Sequence, residues 1–548
     1  MRQLTPMQAA YWVGRKSSES LGGVSAHLYA EFDGEGIDPV RLRFALQRLS
    51  VMHPMLRARI DADGLQATVE VGPELQVEDL RHLSGQVLEE RLATIRATWT
   101  HQQLDLAAGQ PVAFALSRLP GDANRLHVDT DMVAIDPVSF RIVMEDLAWL
   151  YEHEEAQPAV VSPGFFDWLD RMNTDSNLKE RRQRDRTWWK GRLSQVPPAP
   201  ALPLKVHERA VAASSTRYSA WLSVQEHQSL REIAQGCRVS TSTLMLGLFA
   251  QTLGAATKSE RFRLNVPMFY RAPAVEQVDK IVGDFSNLLI LGAELLAADT
   301  LGGLCRKIGA EMSELLTHCT HPGVSVMRDL SRHHGSMQIS PVVFTAGLDM
   351  VQGDLLSPRV SHIFGPMTWV VSQSPQVALD AQVAAMDGGV LINWDVRLDA
   401  LPESWAESTF QAYVSLVRAL IATPGLVAVS LDDPRFGAVA VACRTGEQVR
   451  AQERAANTER MLLQLLGRVG DGRAVSADCD LVATGFAQAQ LKDLFGFVNR
   501  YIPSAGLSCA DLNEYPSPGQ LAGLVCDRSA GASERVAGAL LKALQAGS

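Results

Sequence analysis

Apolar positions recur along this chain with two different periods. Asp38-Pro39 caps and opens a helix on which Leu42, Leu46 and Leu49 share one face, whereas residues 65–71 alternate as a strand does. Residues 225–253 predict a largely helical stretch, and residues 125–128, 262–266, 288–291, 341–345 and 390–394 predict short strands. Helix and strand are therefore interleaved, an α/β (α+β) pattern. Between the halves, residues 196–204 carry so many prolines that no helix can form, because proline removes amide donors and pushes its predecessor out of the helical region. A second break over residues 423–459 opens with proline and glycine and becomes charged and alanine-rich. The pattern divides the chain into pieces at 1–195 and 196–430, a linker at 431–458, a small helical domain at 459–530 and a helical tail at 531–548.

Composition narrows the function. With 548 residues, 46% hydrophobic and 20% charged, the chain is long enough to bury several cores. Its net charge of −10 is spread without a basic block, which argues against nucleic acid and against an anionic membrane surface. No stretch approaches the ~18 apolar residues of a membrane span, and the first residues lack the apolar core of a signal peptide, so a cytoplasmic location is expected. Seven scattered cysteines without a C-x-x-C pair predict reduced, structural thiols. No P-loop, dinucleotide fingerprint or H-E-x-x-H occurs, and no metal site or bound cofactor is expected.

The segment richest in chemistry is Asp129 to Ser139, where Asp131, Asp136 and Ser139 interrupt an apolar run. Buried carboxylates need partners or a polar cavity, while Asp-Pro and Ser are also ordinary turn residues, so spacing alone supports a buried cluster and a solvated turn equally. Asp131-x-x-x-x-Asp136-x-x-Ser139 resembles the D-x-x-x-x-D-x-x-S signature of heterocyclization domains, members of the condensation-domain superfamily in non-ribosomal peptide synthetases. Six further segments agree in order. Leu4-Thr5, Gln8, Ala10-Tyr11 and Gly14-Arg15 resemble the family's opening motif, His53-Pro54 to Arg57 the second, and Trp189, Arg192-Leu193 with the proline stretch the fourth. Val282-Gly283-Asp284-Phe285-Ser286, Pro341 to Thr345, and Gln373-Ser374-Pro375-Gln376-Val377 with Asp380 and Gln382 resemble V-G-D-F-T, P-V-V-F-T and Q-T-P-Q-V-x-L-D-x-Q. Ser286 and Ser374 replace threonine, and Ala256 falls near a common tryptophan.

This resemblance, over roughly residues 1–430, implies two chloramphenicol-acetyltransferase-like lobes in a V-shaped pseudo-dimer around a tunnel, plus the small all-α helical bundle. It implies donor and acceptor carrier proteins or other synthetase subunits as partners, presenting substrates on phosphopantetheine arms. The implied reaction joins an acyl thioester to carrier-bound Cys, Ser or Thr, then cyclodehydrates the amide to a thiazoline or oxazoline. Two rival readings are a domain doing only one of these stages and a non-catalytic docking scaffold. By similarity Asp380 and Thr345 supply the acid–base and orienting groups; taken alone, Thr345 reads as a strand end. Asp131, Asp136 and Ser139 are expected to be structural beside the active site, with arginine partners for the two carboxylates. Gln376, Asp284 and Ser286 are expected to line the tunnel or back its lining. His127 and the His333-His334 pair, which reads as a solvated loop, receive no catalytic role.

From Glu459 the chain resembles a peptidyl or acyl carrier protein. Gln488 stands at the expected serine position and Ala487 at its usual acidic or histidine neighbour. An amide cannot form the phosphodiester, so the tail is expected to carry no arm.

Overall fold

The computed structural model describes residues 1–16, 21–205, 213–349, 353–433 and 436, and in the tail 458–459, 461–463, 465–466, 476, 479–501, 505–513 and 515–529. It divides into two compact units, Met1–Leu401 with Tyr413–Gly437, and Pro402–Ala412 with Ala438–Ser548. Local signals explain most element ends. The helix Pro39–Met52 starts where Asp38 accepts the amides of Val40 and Arg41 at 2.7 and 3.1 Å. The helical stretch expected over residues 225–253 is two helices, Val224–Cys237 and Thr241–Thr257. Arg238 breaks it in the left-handed region (φ 59°), and Ser240 caps the second helix. The strand expected over residues 65–71 stops at Thr68.

The first unit contains two large sheets. One has the strand order Met367–Gln373, His27–Glu35, Ala123–Asp131, Val112–Arg118 and Leu75–Asp79. The other runs Ser286–Glu294, Arg261–Phe269, Val342–Gly347, Leu379–Met386, Gly389–Arg397 and Ser215–Leu222. One strand of the second half thus joins the sheet of the first half, with Gln373 paired to His27, so the proline stretch separates sequence but not space. That stretch is neither helix nor strand; Arg263 holds it, its backbone amide donating to Pro198 O and its guanidinium to Pro197 O, both at 2.8 Å.

Behind the six-stranded sheet, Phe249 from the helix Thr241–Thr257 meets Phe344 and Trp394 with ring centroids 5.1 and 5.4 Å apart. These rings are fully buried and make the back of the sheet a rigid apolar slab. In the second unit, the helices Gln488–Tyr501 and Pro518–Ser529 contribute to a core that includes Met461, Leu465, Leu481, Phe486, Leu494, Phe495, Leu512 and Leu521. The expected linker at 431–458 lies largely outside the described residues, and the expected helical tail at 531–548 wholly outside them.

Candidate active site

A cavity of about 600 Å³ lies over the front face of the six-stranded sheet. Alternation along each strand decides what enters it. Phe344, Ala381 and Trp394 are in mutual register, and the bulky two fill the slab behind. The neighbouring positions Val343, Thr345, Asp380, Gln382 and Asn393 therefore face forward, and all five line the cavity. Val343 lies beside Asp380 and Thr345 beside Gln382 in the parallel pairing; Asp380 lies opposite Asp395 in the antiparallel one. The loop before Asp380 adds Ser374, Pro375 and Gln376 to the wall. Gln376 is held in the left-handed region (φ 63°), and its amide donates to Leu21 O at 3.0 Å. Pro375 packs against Gly14 so closely that a Cβ there would sit 2.3 Å from the ring.

The electrostatics separate two neighbouring carboxylates. Arg217 grips Asp395 with both Nε, at 2.7 Å from Oδ1, and Nη2, and the Ser372 amide donates to Asp395 Oδ2 at 2.9 Å. Within the same network Gln382 Nε2 donates to Asp380 Oδ2 at 3.0 Å and to Asp395 Oδ2 at 3.0 Å, and the Ser372 side chain also favours the charged form of Asp380. Asp380 Oδ1 has no hydrogen-bond partner among the described residues. Burial, reinforced by the negative charge of Asp395, pushes the Asp380 carboxyl up to about 7. One buried carboxyl on the cavity wall thus holds or releases a proton near neutrality, and the half-buried Thr345 lines the same cavity.

Asp131, Asp136 and Ser139 do not reach the cavity lining. Asp131 is fully buried, ion-paired to Arg15 of the opening motif, and accepts the Val133 amide at 3.0 Å. Asp136 caps the helix Pro137–Glu152 through the Ser139 amide at 2.6 Å, accepts the Phe285 amide at 3.0 Å, and meets Arg271 Nη2 at 3.3 Å. Ser139 Oγ donates to Gly283 O at 2.8 Å and accepts the Gly283 amide at 3.0 Å. Gly283 itself packs on Phe165, where a Cβ would fall 2.2 Å from the ring. This knot joins the first-half helix to the loop that leads into Ser286–Glu294. Asp284 and Ser286 are also off the lining; Asp284 is buried beside Tyr11, which does line the cavity and whose hydroxyl proton it helps retain.

The condensation-domain family matches this chain over residues 1–418. The chain belongs to that family. Phenyloxazoline synthase MbtB of Mycobacterium tuberculosis is 42% identical over 399 residues, covering 72% of this chain and 28% of that protein. Pyochelin synthetase PchE of Pseudomonas aeruginosa is 32% identical over 423 residues, covering 76% of this chain and 29% of that protein. The chain therefore spans less than a third of these curated relatives. The EpoB NRPS cyclization-docking bidomain from Sorangium cellulosum superimposes with a TM-score of 0.69 at 26% identity, covering 76% of this chain and 85% of that one. The fold is the two-lobed, acetyltransferase-like one of condensation domains.

Within this condensation domain, sequence reading assigned no role to Arg217, Asp395, Gln382 or Tyr11. Gln382 was findable, because two residues beyond Asp380 in a strand is the same face. Arg217 was not, since it reaches Asp395 across 178 positions of sequence. His127 is wholly buried, its ring nitrogens at 2.8 Å from Tyr29 Oη and 3.0 Å from Ser117 Oγ; burial lowers its pKa to about 4. His333 and His334, expected on a loop, end the helix Gly323–His334 instead. Among the described residues, no group of three or more His, Cys, Asp or Glu side chains is arranged to hold a metal ion, and no helix is long and apolar enough to cross a membrane.

Proposed function

We propose that this condensation domain makes thiazoline or oxazoline rings in non-ribosomal peptide synthesis, acting on thioesters carried by the phosphopantetheine arms of partner carrier proteins. The observation that carries the reading is Asp380: a buried carboxyl poised near neutrality, on the wall of the cavity that Thr345 of the neighbouring strand also lines. In the first stage, the amine of a carrier-bound Cys, Ser or Thr attacks the donor thioester carbonyl, and the donor thiol leaves. In the second, the side-chain thiol or hydroxyl adds to the new amide carbon and its own proton passes to the carbonyl oxygen, which becomes a hydroxyl. That oxygen then departs as water while the nitrogen loses its proton and the C=N bond forms. Protonated Asp380 supplies the second proton that lets this hydroxyl leave as water, and its carboxylate takes the proton from nitrogen, so the group ends the cycle as it began. Thr345 orients the oxygen by hydrogen bond. The names of MbtB, an oxazoline-forming synthase, and of the EpoB cyclization bidomain support the same chemistry.

Intact-mass analysis of the acceptor carrier, after incubation with both loaded carriers, tests the reading: the acylated aminoacyl species should appear and then lose one water. An amide that never loses water would assign condensation alone. Thr345→Val should retain amide formation and slow the loss of water by roughly 10- to 100-fold, read from the same mass time course. Equal loss of both stages would instead assign Thr345 to the sheet's structure.

The second unit we read as a carrier-like bundle without its attachment residue. Gln488 opens the helix Gln488–Tyr501, and a carboxamide is no substitute for a serine hydroxyl in a phosphodiester. Treatment of the full chain with a phosphopantetheinyl transferase and coenzyme A should leave its mass unchanged. A gain of one phosphopantetheine group overturns this.

A further inference from the structure

Asp380 keeps its proton only while Arg217 stays on Asp395. On the forward face of the six-stranded sheet, Asp380, Asp395 and Arg217 form one row across three adjacent strands, and Gln382, Asn393 and Ser219 form the next. Arg217 starts two strands from Asp380, but its side chain leans back toward it. Its Nη2 lies 3.4 Å from Gln382 Oε1, and Gln382 Nε2 donates to Asp380 Oδ2 at 3.0 Å. One side chain thus separates the guanidinium from Asp380. A guanidinium that swung across would hold Asp380 as a carboxylate.

Every nitrogen of that guanidinium is engaged elsewhere. Nε donates to Asp395 Oδ1 at 2.7 Å and Nη2 to Asp395 Oδ2. Nη1 donates to the Asn393 side-chain oxygen at 2.9 Å, while the Asn393 nitrogen donates to Ser219 Oγ at 2.8 Å and to Ile392 O at 3.2 Å. A carbonyl oxygen only accepts, so the Ile392 bond fixes which way the amide points and turns its oxygen to Arg217. Asn393 is 5% exposed, so bulk water is not at hand to replace it. The other elements around Asp380 bring no competing cation. The helix Pro6–Gly14 brings Tyr11, which burial keeps a neutral phenol, with the buried Asp284 beside it. The strands Val342–Gly347 and Met367–Gln373 carry no charged residue.

We infer that Asn393 is a positioning residue for the loss of water: it locks the Arg217 guanidinium onto Asp395 and so denies Asp380 a cation that would fix it as a carboxylate. The inference rests on the proposed acid–base role of Asp380; the lock itself rests on the two rows of side chains.

Asn393→Leu keeps the volume and removes the acceptor, whereas Asn393→Asp keeps an acceptor and adds negative charge. In the full chain, loss of water from the acylated carrier should follow protonated Asp380, level at low pH and falling above about 7 in the parent. In Asn393→Leu the fall should begin about one pH unit lower, so that dehydration is about 10-fold slower than the parent's at about pH 8 and equal to it at about pH 5. Amide formation should keep the parent's rate at both. Asn393→Asp should retain the parent's profile or move it to higher pH. A second readout needs no turnover: the stability difference between each protein and its Asp380→Asn counterpart, followed against pH, reports the Asp380 carboxyl directly. That titration should move to lower pH in Asn393→Leu and not in Asn393→Asp. A profile and a titration that both stay at the parent's position in Asn393→Leu overturn the lock, and so does an equal slowing of both stages at every pH, the mark of a folding defect. A titration that moves as expected in a protein that forms no ring sinks the cyclization reading and leaves the lock standing.

Discussion

Asp380→Asn should form the amide and stop before the loss of water. Asparagine keeps the shape of the side chain but can neither give nor take the proton, a loss of about 10²- to 10⁴-fold in the second stage. The uncyclized acyl–aminoacyl carrier should accumulate at close to the parent's rate of condensation, as read by intact mass. Ring formation at the parent's rate would remove Asp380 from the chemistry. The same variant should be more stable than the parent, and the sign follows from the direction of the shift. The folded carboxyl, at about 7 against 3.8 for an ordinary aspartate, binds its proton more tightly than the unfolded one. Its favourable contribution is therefore complete at low pH and is lost as pH rises toward 7, a difference on the order of 4 kcal/mol once the group is ionised in both states. Asparagine does not titrate. The variant's gain in melting temperature should be small at about pH 5 and larger at about pH 8. A gain independent of pH would mean that the Asp380 carboxyl is not held near neutrality.

Arg217→Met should be the most destabilising change near the site. Arg217 is the cation that grips Asp395, and both side chains are only 4% exposed. Removing it leaves a buried charge without its counter-ion, next to a second carboxyl that shares the same Gln382 amide. Breaking a buried pair from one side costs about 3–5 kcal/mol. Denaturant unfolding should show that loss, and the Arg217→Met, Asp395→Asn double variant should recover much of it, since the stranded charge is then gone. Parent-like stability in Arg217→Met would contradict the division of labour between the two carboxylates. A single variant as stable as the double one would do the same.

Local physical chemistry determined a large part of this protein directly from its sequence. The Asp38-Pro39 cap, the period-2 runs and the helix-forbidding prolines act within a few residues, so they are legible without a fold. Ordered motifs over residues 1–430 carried the resemblance to a family that the chain matches over residues 1–418. They also singled out Asp380, Thr345 and Gln376, which the structure gathers around one cavity. Alternation alone, however, does not say which face of a strand is buried against what. Only the packing of Phe249 on Phe344 and Trp394 turns Thr345 and Asp380 forward. Spacing likewise left the Asp131–Ser139 segment undecided between a buried cluster and a solvated turn. Its burial depends on Arg15 and Arg271, more than a hundred positions away in each direction. The proton affinity of Asp380 is the extreme case, because it depends on burial and on the distance to Asp395 and Arg217. Charges interact through space rather than along the chain, so only the tertiary structure, by placing Arg217 on Asp395 and leaving Asp380 without a cation of its own, decided which carboxyl titrates near neutrality.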